Sequence, residues 1–124
     1  KYEIAAVKSE PVLDREQAMR QLEADPELFQ SLADILIASL PELQAQIEQA
    51  IAQGDSEALR RAAHKAKSSV GPFRANAAYE AAYRLEMVGE QEDFSHAESA
   101  FNRLKQELSR LKQALTIVGE EEQL

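Results

Sequence analysis

The chain contains no cysteine, and its 124 residues include only two histidines, four glycines and four prolines. Without cysteine there is no disulfide, no thiolate metal site and no thiol nucleophile. His64 and His96 stand too far apart in sequence to suggest a histidine-based metal site. No apolar run reaches the roughly 18 residues of a membrane span, and no signal-peptide pattern opens the chain. Positive charge is also short: 14 Lys and Arg against 22 Asp and Glu give a formal net charge of -8. Nucleic-acid binders present a basic face to phosphates, so that class is set aside. What is present, 44% hydrophobic and 29% charged residues, is the composition of one soluble domain able to bury its own core.

Strand-like alternation is missing too, and start and stop signals divide the chain into helices. A short helix is expected from Asp14, with Gln17 as its capping-box partner and Leu13, Ala18 and Leu22 inward. A long helix follows from the Asp25 cap and Pro26 to about Gln53, closed by Gly54. Its apolar series is Phe29, Leu32, Ile35, Leu36, Ser39, Leu43, Ile47, Ala50 and Ile51, and Pro41 predicts a kink within it. The next helix starts at Asp55 and stops at Val70, where Pro72 should push Gly71 out of the helical region. Another spans about Ala75 to Val88, with Ala78, Ala81, Ala82 and Leu85 inward and Gly89 as its stop. The last opens on a Ser95 to Glu98 capping box and carries Ala97, Phe101, Leu104, Leu108, Leu111 and Leu115 to about Ile117. The fold class is all-α, an antiparallel up-and-down four-helix bundle with a short extra N-terminal helix.

Within the helix from Asp55 to Val70, Leu59, Ala62, Ala63, Ala66 and Val70 share an arc about 100° wide and form its buried side. His64 lies off that arc. It belongs instead to a stripe of Arg60, His64, Lys67, Ser68 and Gly71, related by steps of three and four. The region is locally basic: Glu80 is the single acid between Arg60 and Arg84, whereas Arg61, Lys65 and Arg74 add to the cations. A surface histidine among cations is ordinarily just a solvated residue, and its neighbours are what change the reading. An accessible imidazole, titrating at about pH 6.5 in model peptides, keeps a nucleophilic lone pair at neutral pH. Lys67, one turn on, offers positive charge to a phosphoryl group, and Ser68 and Gly71 leave room for another protein's backbone. The arrangement suits a phosphoryl carrier.

The run His64-Lys65-Ala66-Lys67, preceded by "GDSEALRRAA" and followed by Gly71 seven residues after the histidine, resembles the histidine-containing phosphotransfer (HPt) domains of two-component phosphorelays. The likeness extends to "VLDREQAMRQLEADPELFQSLADILIASLPEL" and to Leu85-Glu86, and so covers about residues 12 to 115. It implies that His64 is the phosphoacceptor, taking a phosphoryl group from one receiver-domain aspartate and passing it to another. Lys67 would offset the phosphoryl charge. No cofactor is implied on this chain, since Mg²⁺ belongs to the receiver, and no kinase activity of its own. Two positions depart from the family pattern: Ser68 and Arg74 stand where Gly is common, and Arg74 with Pro72 suggests a differently shaped turn.

The expected organisation is a linker over residues 1–11, the bundle over 12–118 and a frayed tail over 119–124. The linker-like start points to the C-terminal module of a cytoplasmic hybrid sensor kinase. The partners are response-regulator receiver domains, whose first helix would dock on exposed apolar and small residues around His64, without membrane contact; the polar exterior favours a monomer. The alternative is a docking bundle that has lost transfer, for which Ser68 is the supporting feature. An active site of converging carboxylates fits poorly, because Glu80, Glu86 and the acidic 90–98 loop lie at scattered phases.

Overall fold

The computed structural model describes residue 20 and residues 23–123, with side chains as far as residue 117. The linker and the short helix expected around Asp14 lie outside the described residues. Four helices make the body: α1 (Pro26–Gln53), α2 (Ser56–Val70), α3 (Asn76–Gln91) and α4 (Ala97–Gln123). Among the described residues there is no strand. Each helix packs on its neighbour in sequence, and α1 also meets α4, which closes the four-helix bundle around one core.

The boundaries follow from local chemistry. Asp25 and Asp55 cap α1 and α2 by accepting hydrogen bonds from the Leu28 and Ala58 amides at 3.1 and 3.0 Å. Gly54, at φ 65°, supplies the left-handed residue that ends α1 and lets α2 begin two residues later. α1 continues through Pro41. Its buried stripe is Phe29, Ala33, Leu36, Leu40, Leu43, Ile47 and Ala50, a strict alternation of four and three steps. Leu32 and Ile35, expected inside, are 40% and 65% exposed, because they sit beside that seam and, among the described residues, no helix covers them.

Four expected termini differ in detail. Gly71 stays helical at φ -53° and ψ -45° despite Pro72, and α2 passes into a 3-10 turn over Gly71–Phe73. The chain turns instead at Arg74, left-handed at φ 56°. Gly89 lies inside α3, and the helix ends two residues further on, at a left-handed Glu92. Ser95 does not cap α4 through a Ser95–Glu98 box. Asp93 accepts hydrogen bonds from the Ser95 amide at 3.1 Å and hydroxyl at 2.6 Å, nucleating a 3-10 turn (Phe94–His96) that leads into α4. α4 then runs on to Gln123, beyond the Ile117 end expected from its stripe.

Among the described residues, α2 and α3 share the most extensive contact between helices. The alanines of this seam include Ala63, Ala66, Ala78 and Ala82, all buried. At Gly89 a Cβ would come within 2.7 Å of both the Arg60 nitrogen and the Ser56 oxygen of the α2 backbone. Only a residue without a side chain allows the two backbones to approach so near. That approach positions the site one turn away.

Candidate functional site

The buried arc of α2 is Leu59, Ala62, Ala63, Ala66 and Val70, as its periodicity predicts, so His64 emerges on the outer side with its side chain 55% exposed. Its Nδ1 stands 2.8 Å from Oε2 of Glu86, which comes from α3. The other carboxylate oxygen, Oε1, is 2.7 Å from Lys67 Nζ. One carboxylate therefore bridges two residues a turn apart on the facing helix.

The electrostatics are mutually reinforcing. Burial pushes the Glu86 carboxyl up, but the hydrogen bonds from Lys67 and His64 outweigh it and hold its pKa below the usual carboxylate value. The hydrogen bond to Glu86 likewise raises the Lys67 ammonium above its ordinary value, against the effect of burial. Glu86 is thus ionised at neutral pH and can only accept, so the His64 proton belongs on Nδ1. In the neutral ring the lone pair is then on Nε2.

Lys67 has further company. Its Nζ lies 5.7 Å from the Tyr79 ring centre and 5.3 Å from that of Tyr83, two half-exposed residues one turn apart on α3. Tyr79, Tyr83 and Glu86 share one face by their spacing of four and three, and that face is turned to α2.

The remaining expected site residues are placed as follows. Arg60 lies on the His64 stripe, but its guanidinium holds Glu57 through Nε at 3.2 Å and Nη2 at 2.7 Å, which lowers the Glu57 pKa and raises its own. Ser68 is exposed one turn beyond His64. Gly71 has helical dihedrals, and a Cβ there would meet nothing within 4 Å, so its surroundings are open. Glu86 was not among the residues sequence reasoning assigned to the site. The signal that could have found it is the Tyr79, Tyr83 and Glu86 stripe, polar and aromatic on an otherwise alanine-rich helix. His96 stands apart, beside a groove between α3 and α4 that it lines with Arg84 and Arg103. Among the described residues no three His, Asp or Glu side chains gather as a metal site, and no helix is long and apolar enough to cross a membrane.

No curated protein matches the chain. Among solved structures, histidine-containing phosphotransfer protein B (HptB) from Pseudomonas aeruginosa PAO1 has the same fold, with a TM-score of 0.83 at 19% identity, covering 91% of this chain and 98% of that one. The sequence itself matches the Hpt domain family over residues 31–114. That span contains α2, α3 and every residue of the His64–Glu86–Lys67 cluster, and the chain belongs to the Hpt domain family.

Proposed function

We propose that this domain carries a phosphoryl group on His64 Nε2, between the aspartates of two receiver domains in a two-component phosphorelay. The observation that supports the assignment best is the bond from His64 Nδ1 to the ionised Glu86, which leaves Nε2 as the nucleophilic nitrogen of an exposed ring. In the forward step the Nε2 lone pair attacks phosphorus and the bond from phosphorus to the receiver's aspartyl oxygen breaks, releasing a carboxylate. The Nδ1 proton stays in its hydrogen bond, and the Glu86 charge offsets the positive charge that the ring acquires. The second receiver reverses these steps, its aspartate attacking phosphorus and the imidazole leaving neutral.

On this reading Lys67 balances the phosphoryl oxygens, Arg60 adds to the positive stripe, and Ser68 and Gly71 keep the approach to His64 low. The domain supplies no kinase activity and holds no cofactor; the Mg²⁺ that neutralises the transferring group sits in the receiver's acidic pocket. Leu28, Leu32, Pro72 and Phe73 line a shallow apolar groove whose far edge reaches the end of α2, two turns from His64. A receiver helix docking from there across Gly71 and Ser68 would bring its aspartate to the imidazole. The domain is read as a monomer, as cytoplasmic, and as one module of a hybrid sensor kinase.

The test is label transfer. The domain is mixed with radiolabelled phospho-receiver domains, and acid-labile, base-stable label is followed on wild type and His64→Gln. Label on wild type that disappears in the variant is expected. Equal label on both would place the acceptor on a residue other than His64, and none on wild type from receivers that charge another carrier would leave only a docking bundle.

A further inference from the structure

Lys67 is held more firmly than a surface lysine needs to be. Its side chain is only 16% exposed, and Nζ has three partners: Glu86 Oε1 at 2.7 Å and the rings of Tyr79 and Tyr83. A free lysine would sample many rotamers and lose that freedom when a phosphoryl group arrived. Here the ordering is already done.

The kind of partner matters. A second carboxylate could hold the ammonium as well, but it would cancel the remaining charge and repel an incoming phosphoryl group. An aromatic face attracts a cation through its quadrupole and carries no net charge. We infer that Tyr79 and Tyr83 are positioning residues for phosphoryl transfer, an aromatic cradle that fixes the Lys67 ammonium beside His64 without neutralising it. The inference rests on the carrier reading above and adds two residues of α3 that act through Lys67.

Both rings are substantially exposed, 40% for Tyr79 and 43% for Tyr83, so replacing them leaves the core intact. The experiment measures the rate of label transfer from a phospho-receiver to the intact domain for Tyr79→Leu, Tyr83→Leu, the double variant and the corresponding Phe variants. Each set is made in the wild-type and the Lys67→Met background. Each Leu change is expected to slow transfer by about two- to fivefold, whereas the Phe changes, which keep the ring, stay near wild type. In the Lys67→Met background the Leu changes should add nothing, because the cradle then has no ammonium to hold. Leu variants as fast as wild type, or a loss that persists without Lys67, would overturn the cradle while leaving the carrier intact. Wild-type protein that takes no label would overturn the carrier reading and this role with it.

Discussion

The α2–α3 seam and the α4 face of the bundle are built on opposite plans. The seam is lined with alanine and closes on Gly89, whereas α4 fills the core with Phe101, Leu104, Leu108, Leu111 and Leu115. Each region also carries a nearly buried carboxylate with two side-chain partners. Glu107, 2% exposed, is served by Arg103 at 3.0 Å and Arg110 at 3.3 Å, both from its own helix. Glu86, 12% exposed, is served by His64 and Lys67 from the helix opposite. Large side chains hold helices together at a distance, and small ones bring them close enough for polar groups to meet across the gap. The first plan gives stability and the second gives a site.

Substitutions that separate the two plans should therefore have different signatures. The largest loss of stability is expected for Leu108→Ala, a fully buried position where a cavity costs about 2–5 kcal/mol. Chemical denaturation would measure that loss, and the protein that remains folded should accept label at the wild-type rate. Gly89→Ala should cost less, about 1–3 kcal/mol of overpacking. Because its methyl group would push α2 from α3, it should also remove the NMR signal of the hydrogen-bonded His64 Nδ1–H. A Gly89→Ala protein that kept that signal would break the link between seam and site.

Glu86→Gln acts through charge. The folded pKa of Glu86 lies below the ordinary 4.5, so its stabilisation is present above about pH 4.5 and is lost as pH falls through the folded value. Lys67, raised above 10.5, contributes below that value and loses its share as pH rises through its folded pKa. The difference in Tm between wild type and Glu86→Gln should thus be level through neutral pH and shrink on acidification. A difference that stayed constant down to about pH 2 would contradict the ion pairs. The smallest effect is expected for Glu107→Leu, within about 1 kcal/mol, since Arg103 and Arg110 are 62% and 51% exposed and keep their hydration when the buried carboxylate is replaced by an apolar side chain. Thermal unfolding and transfer rates should both stay close to wild type.

The sequence revealed those features that depend on near neighbours. Asp25 and Pro26 marked the start of α1, and Gly54 and Asp55 its junction with α2, because a cap is chemistry within four residues; the arc of α2 followed from its period alone. Gly89 was legible only as a glycine after an apolar stretch, which reads as a stop. Its reason for being there is the backbone of Ser56 and Arg60, about thirty residues earlier. Glu86 escaped for the same cause: its partners lie 22 and 19 positions away, and no helical period connects them. Leu32 and Ile35 were drawn into the inner face because an apolar residue beside the seam has nearly the right phase. Burial was decided by which helices lay alongside.

The proposed carrier role turns on Glu86 fixing the His64 proton on Nδ1 and leaving Nε2 to take phosphorus. Nitrogen–phosphorus correlation NMR on ¹⁵N-labelled domain charged by a phospho-receiver tests it most directly. A coupling between phosphorus and Nε2 of His64 is expected; phosphorus on Nδ1, or on His96, would show that Glu86 does not direct the transfer.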